Sequence, residues 1–412
     1  MNEPFKLDYR SCLRTLSERL SEPPPGRIQV LTGPRQAGKT TLLLDLAERL
    51  GDSAVYAAAD APESGLPGFW ERLWDRVEDL AETRGKAVLL LDEVQHAADW
   101  ARHLKTQWDR LKRRKIPVHV VVTGSSALRL GKGSRESMAG RFERMTLAHW
   151  SASAFVQELG VEPADAPGLI VRFGSYPGAH PLLGDLNRWR AYIADAIIEP
   201  AIGRDILALG AVRRPALLRQ VFTLCAAMPA GIISLQKLQG QLQDSGALET
   251  IAGYLRLLED AFLVAAIEKY STRTLRRRAA PPKIVVLNNA FLAAMDPEGI
   301  LDLSEDPRRL GSWVENACLA HAWNCGQKVT YWREEPLEVD AVLEGDWGRW
   351  AVEVKTGPFN TADLKGLLEF CRRYPRFRPL VLTGEHRGPP QLRDAGVETM
   401  SWGEFLLGGP GL

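Results

Sequence analysis

The sequence predicts an α/β protein. A parallel sheet flanked by helices comes first, then a mostly helical block, then a second and smaller α/β block. Three observations carry this. Short apolar runs alternate with helical stretches over residues 26–188, the pattern of successive βαβ units. The first of these runs opens into a glycine-rich turn and then a helix. Near the C-terminus two alternating apolar segments flank a short turn, which reads as a hairpin with one polar face.

Residues 1–25 read as a separate amphipathic helix (Leu13, Leu16, Leu20) ended by Pro23-Pro24-Pro25. Strands are predicted at 28–32, 55–59, 87–91 and 118–123, closing a first domain at 188. Residues 189–295 are mostly helical and end in two apolar strands, 262–268 and 284–287. An acidic, proline-containing stretch at 296–308 reads as a linker. Residues 309–412 open with a helix at 313–323 and continue through strands at 339–343, 350–355 and 380–382.

Composition narrows the function classes. The chain of 412 residues is 45% hydrophobic and 25% charged, as in an ordinary soluble protein. No apolar run approaches the roughly 20 residues that span a bilayer. The first residues lack a basic segment followed by an apolar stretch, so no secretory signal is expected and cytoplasm is the default. The five cysteines are scattered, odd in number and without a C-x-x-C pair, which points to idle thiols in a reducing compartment. The net charge of +1 provides no global field toward nucleic acid, so any such binding must come from local patches.

Residues Gly33-Pro34-Arg35-Gln36-Ala37-Gly38-Lys39-Thr40 match G-x-x-x-x-G-K-[ST] in full, and Thr41 follows at the start of the helix. Such a turn wraps its backbone N–H groups around phosphate oxygens. Lys39 supplies charge to the β and γ phosphates, and the Thr40 hydroxyl ligates magnesium. The following helix directs its N-terminus at the same phosphates. ATP and Mg2+ are therefore the expected cofactors.

A buried strand at 87–91 ends in Asp92-Glu93, at the sheet edge where parallel α/β folds bind ligands. Asp92 is expected to hold magnesium and Glu93 to polarise the attacking water. Strand 118–123 delivers Thr123, Ser125 and Ser126 to that edge, either to sense the γ-phosphate or simply to turn the chain. Arg141 is either a solvated loop residue or a group that reaches a γ-phosphate in its own or a neighbouring subunit of a homo-oligomer.

In the middle block an N-capped helix at Ser234, a turn at 244–246, a helix at 248–260 and the two strands spell a winged helix-turn-helix. Its ribbon carries Lys269, Arg273, Arg276, Arg277, Arg278 and Lys283 with no acid between them, a pattern suited to non-specific contact with DNA phosphates. The second helix offers few donors for reading base edges, which leaves a lid or protein-partner surface as the other reading.

In the C-terminal hairpin the midpoint between Asp340 and Glu353 falls between Asp346 and Trp347, inside the turn. The two acids should therefore face each other, with Glu338 and Lys355 on the same side. Two carboxylates and a lysine on one face suit either a hard divalent cation or an ordinary ion pair on a solvent-facing hairpin.

Taken together, these residues resemble the prokaryotic AAA-type ATPases whose C-terminal half is a domain of unknown function. The shared motifs are Gly33 to Thr40, Leu91-Asp92-Glu93-Val94-Gln95, Thr123-Gly124-Ser125-Ser126, Ala139-Gly140-Arg141, Gly174-Ser175-Tyr176-Pro177-Gly178, Arg204-Asp205-Ile206 and Glu315-Asn316. The terminal motif is similar to the PD-(D/E)xK nuclease superfamily and its restriction-endonuclease-like fold. That resemblance implies Glu315, Asp340 and Glu353 on a metal, with Lys355 as the catalytic lysine. This sequence departs from the pattern at Leu287-Asn288-Asn289-Ala290, where an aspartate and a glycine are expected. The expectation is an ATP-driven protein that binds or processes DNA. The alternative is a nucleotide-gated switch whose nuclease-like part is a scaffold for a protein partner.

Overall fold

The structure, a computed structural model, describes residues 5–124, 140–207, 212–242, 247–272, 280–302, 307–384, 392 and 396–411. The chain divides into two units, Met1–Ala148 and His149–Leu412.

The first unit is built on six strands: β1 (Phe5–Leu7), β2 (Ile28–Thr32), β3 (Ala54–Ala58), β4 (Ala87–Asp92), β5 (Val118–Gly124) and β6 (Phe142–Leu147). They lie in the order β1-β6-β2-β5-β4-β3, and every pair is parallel. Helices α1 (Tyr9–Arg19), α2 (Lys39–Leu50), α3 (Phe69–Arg84) and α4 (Trp100–Arg114) connect them. The residues of β2, β4 and β5 are buried along their full length, as expected of strands covered on both faces. On α3 the buried residues Leu73, Trp74, Val77 and Ala81 recur at helical spacing and join the core formed by Val30, Leu89 and Val120.

The N-terminal segment differs from expectation. It is not a separate helix, because β1 pairs with β6 through Phe5–Met145 to Leu7–Leu147 and becomes the sheet edge. Asp8 caps α1 by accepting from Ser11 N at 2.8 Å, and Tyr9 donates to Asp45 Oδ2 at 2.6 Å on α2. Strand β6 escaped the sequence reading because Phe142-Glu143-Arg144 lacks an apolar run. Its Glu143 is instead satisfied by Arg27 at 2.7 Å and Arg19 at 3.3 Å.

The second unit begins earlier than the predicted boundary at 188. Helices α5 (Ala152–Leu159), α6 (Ala166–Phe173), α7 (Leu186–Ala191) and α8 (Pro215–Ala226) precede α9 (Leu235–Gly240) and α10 (Leu248–Asp260). Ser234 caps α9 by accepting from Lys237 N at 3.1 Å. Strands β7 (Val264–Ile267) and β8 (Lys283–Val286) form an antiparallel ribbon, followed by α11 (Ala290–Met295) and α12 (Pro307–Asn324). A five-stranded mixed sheet, β13-β12-β11-β10-β9, completes the unit. Its strands are β9 (Lys328–Glu334), β10 (Leu337–Gly345), β11 (Gly348–Lys355), β12 (Arg378–Thr383) and β13 (Glu398–Ser401), with α13 (Lys365–Arg373) and α14 (Trp402–Gly408).

Buried amides knit this unit together at the place where the sequence departs from the expected pattern. Asn288 Oδ1 accepts from Ser175 N at 3.0 Å, while Asn288 Nδ2 donates to Ser175 Oγ at 3.0 Å. Asn289 donates to the Val171 and Trp313 carbonyls, and Asn316 donates to Asn289 Oδ1 at 2.8 Å and to Val286 O at 2.8 Å. Gly174-Ser175 and Glu315-Asn316 thus meet through Asn288 and Asn289. A hydrogen-bonded buried amide is a structural tie rather than a reactive group.

Candidate functional site

In the first unit the nucleotide motif lies at the carboxyl end of β2. Gly33 comes so close to the end of β6 that an added Cβ would sit 2.2 Å from Leu147 O, so no other residue fits. Gly38, at φ 94°, turns the chain into α2 in a conformation that favours glycine. Pro34 and Ala37 are buried, Arg35 is half-buried, and Gln36, Thr40 and Thr41 are exposed along the turn and the start of α2. Lys39 is 4% exposed, and its Nζ donates to Pro34 O at 2.8 Å and Gly33 O at 3.2 Å. The ammonium is thus held at the loop by the loop's own carbonyls.

Asp92 gathers the rest. The parallel register Leu91–Val122 brings the ends of β4 and β5 level, so Asp92 lies beside Thr123. Asp92 Oδ2 accepts from Thr40 Oγ1 at 2.7 Å and from Tyr56 OH at 3.2 Å. Its Oδ1 accepts from the Thr123 hydroxyl and, at 3.0 Å, from Glu93 N. Burial and the neighbouring Asp92 push the Tyr56 phenol up to about 12. Sequence reasoning missed Tyr56, because a tyrosine inside a short apolar strand has no signature until β3 is placed beside β4.

Glu93 adopts φ 47°, a left-handed conformation uncommon outside glycine. Its N–H is held by Asp92 Oδ1 and by Thr123 Oγ1 at 3.1 Å, and its Oε2 accepts from Gln95 Nε2. A strained backbone that is fixed on both sides at a sheet edge is a hallmark of a functional position. These groups fit a magnesium nucleotide. A glycine turn of this kind would suit phosphates, and the hard oxygens of Thr40 and Asp92 beside it would suit magnesium.

One expectation for this site changes, and another is not reached by the structure. Ser125 lies outside the described residues. Arg141 cannot serve the nucleotide of its own chain, because the pairing Ile28–Phe142 puts it at the amino end of the strands. The nucleotide motif lies at the carboxyl end, about 16 Å away for a five-residue strand. Arg141 is instead held by Asp109, Nε to Oδ1 at 2.8 Å, and stacks 5.7 Å from the Trp108 ring centroid.

The second unit contains the predicted carboxylate face. Pairing of Ala341 with Val352 and of Gly345 with Gly348 makes Asp346-Trp347 the turn and sets Asp340 against Glu353. Glu353 is only 8% exposed, so this is not a solvent-facing hairpin. Lys355 Nζ contacts Glu353 Oε1 at 2.8 Å along the same strand, and Asp340 Oδ2 accepts from Val354 N at 2.8 Å. Glu315 joins from α12.

The centre of this cluster holds a residue that was expected elsewhere. Lys283, read from the sequence as part of a solvent-facing basic ribbon, has a side chain only 2% exposed. It pairs with Glu315 Oε1, lies 3.6 Å from Asp340 Oδ1 and 3.7 Å from Glu338 Oε1, and donates to Asp340 O at 3.2 Å. Burial alone would lower its pKa, but the Glu315, Asp340 and Glu338 carboxylates outweigh that and hold it protonated. Burial, and then the charge of Asp340, push both Glu315 and Glu353 above the usual carboxylate range. These residues do not fit a divalent cation, since an ammonium already sits among the oxygens it would need. Among the described residues, no group of three or more His, Cys, Asp or Glu side chains is set to hold a metal ion. Of the residues expected at a metal, Glu315 and Asp340 contact Lys283, and Glu353 contacts Lys355.

The ribbon is also less free than predicted. Lys269 bridges to Tyr331 of β9, and Tyr270 is buried in the cluster of Trp332, Phe370 and Phe377. Arg273, Arg276, Arg277 and Arg278 lie outside the described residues.

A parallel six-stranded sheet carrying this nucleotide turn, with Asp92 and Glu93 at the next strand end but one, fits a P-loop NTPase domain. Comparison with known proteins agrees: residues 25–156 match the AAA domain family. Residues 169–306 and 310–402 match two domains of unknown function, DUF8612 and DUF4143. Uncharacterized proteins of Mycobacterium tuberculosis and Mycobacterium bovis are each 28% identical over 374 residues, 88% of this chain and 78% of theirs. Among solved structures, Aeropyrum pernix ORC1 in complex with DNA is 16% identical, with 71% of this chain and 94% of that one covered and a TM-score of 0.30. AMPPCP-bound DnaA from Aquifex aeolicus is 15% identical, with 63% and 90% covered and a TM-score of 0.32. Scores this low carry no argument about the present chain. No helix among the described residues is long and apolar enough to cross a membrane.

Proposed function

We propose that the protein hydrolyses ATP with magnesium and that the nucleotide state governs what its second unit binds. The supporting observation is the convergence of Thr40, Tyr56, Thr123 and the Glu93 amide on the single carboxylate of Asp92. Magnesium, when bound, neutralises charge on the transferring phosphoryl group. Lys39 adds charge beside the phosphates, Thr40 and Asp92 orient the ion, and Glu93 takes the proton of the attacking water.

The experiment is ATP turnover and nucleotide binding by the purified chain, with Lys39→Ala and Glu93→Gln. Lys39→Ala should lose both. Glu93→Gln should keep binding and lose turnover by on the order of 100-fold or more, the usual worth of a positioned base. Turnover unchanged in Glu93→Gln would remove it from this role.

The second unit is read as a scaffold for a protein partner, because Lys283 ties up the Glu315, Glu338 and Asp340 carboxylates. A different reading makes DNA the bound partner through Arg273, Arg276, Arg277 and Arg278, an acid-free basic run. It requires binding that weakens steeply with salt and is lost when these four arginines become alanine. Assembly of the ATPase units into a homo-oligomer belongs to the same proposal, and sedimentation with and without ATP tests it.

A further inference from the structure

We infer that Lys283 is the resident cation of the Glu315–Glu338–Asp340 cluster, taking the place that a divalent metal would occupy. This goes beyond the ATPase reading and does not depend on it.

The geometry carries the inference. Glu315 comes from α12, Glu338 and Asp340 from β10, and Glu353 from β11, so three elements direct carboxylates to one point. Lys283 enters that point from β8 and lies within 4 Å of Glu315, Glu338 and Asp340. Its backbone is anchored: it pairs with Ile267 on one side and bridges to Ile232 on the other, and Ile233 N donates to the preceding Pro282 O. Burial of the whole residue keeps the ammonium at the carboxylates.

A divalent ion would need the same oxygens, Glu315 Oε1 and Asp340 Oδ1, at about 2.0–2.6 Å. It would then meet a fixed positive charge with almost no water to screen it. Glu353 keeps one buried oxygen, Oε2, without a hydrogen-bond partner among the described residues. The cluster therefore retains the acceptors of a cation site, and Lys283 decides which cation fills it.

The test is Mn2+ binding followed by electron paramagnetic resonance on the full nucleotide-free chain. Four proteins are compared: wild type, Asp340→Asn, Lys283→Met and Lys283→Met/Asp340→Asn. The expected result is that wild type binds no Mn2+ that Asp340→Asn removes. Lys283→Met should gain about one equivalent and lose it with Asp340→Asn. Wild-type binding that depends on Asp340 would overturn the inference, and so would a folded Lys283→Met that gains nothing. Should Lys283→Met fail to fold, Lys283→Met/Glu315→Gln is compared with it by circular dichroism. Recovery of the folded signal supports the ion pair as the reason Lys283 sits there; no recovery overturns it. Because nucleotide is absent throughout, failure here leaves the ATPase reading untouched.

Discussion

Thr40 donates its hydroxyl proton to Asp92 Oδ2 across 2.7 Å, joining the nucleotide turn to a strand two positions away in the sheet. The two oxygens that should flank magnesium are thus already neighbours. Thr40→Ala should lower kcat/KM for ATP by on the order of 100-fold, about 2.7 kcal/mol of transition-state stabilisation. Steady-state turnover at fixed Mg2+ measures this, and an unchanged value would remove Thr40 from the site.

Tyr56 steadies the same carboxylate from β3. Tyr56→Phe keeps the ring and deletes the donor, so the Mg2+ concentration for half-maximal turnover should rise roughly 10-fold with little change in the saturated rate. Because the folded phenol is held up to about 12, its proton stays bound well above the usual tyrosine range near 10. The contribution of this bond is therefore present below pH 10 and is lost as pH rises toward 12. An ultraviolet pH titration of wild type against Tyr56→Phe should show one phenol ionising late.

Arg141 lies at the opposite end of the strands from the nucleotide turn and is held by Asp109. Arg141→Ala should change turnover less than about twofold where the protein is monomeric, because the side chain stands a strand's length from the nucleotide turn and an exposed ion pair contributes little to the fold. A large loss seen at every protein concentration would contradict the placement. A loss confined to high concentration would assign Arg141 to a neighbouring copy.

Gly174 supports the amide network of the second unit. An added Cβ would lie 2.0 Å from Asn288 Oδ1 and 2.2 Å from Ala290 N, at a φ of 71°. Gly174→Ala should destabilise the unit by on the order of 3 kcal/mol, through overpacking and left-handed strain together. Urea unfolding with unchanged slope would register it as a lower midpoint.

His321 supplies a pH signature. Burial drives its pKa down to about 4, against a partial opposing effect of a hydrogen bond with the Phe405 backbone. The folded state keeps the ring neutral while the unfolded chain protonates it below about 6.5. Stability should therefore fall by about 3 kcal/mol as pH drops from about 6.5 to about 4, and His321→Gln should flatten that slope. Thermal unfolding across this window compares the two proteins.

The nucleotide half of the site was legible because its determinants are local. Gly33 through Thr40 must be contiguous to wrap a phosphate, and β2, β4 and β5 are short, mostly apolar runs. Strands β1 and β6 were not legible, since three residues and a charged segment acquire strand character only from the neighbours that pair with them. The facing of Asp340 and Glu353 followed from taking the midpoint inside a turn at 344–348, because antiparallel register is arithmetic once the turn is placed.

Lys283 shows where such reading stops. In the chain it stands beside a run of basic residues and looks like one more of them. Its charge ends up opposite to that role, buried against three carboxylates from two other elements, 32 to 57 positions away in sequence. The kinds of residue at each motif, and the order of the elements, were set by the chain, because helix period, strand alternation and turn chemistry act over a few residues. Which charges meet was set by packing alone, because a buried ammonium and its carboxylates find one another through space, and no local pattern records that distance.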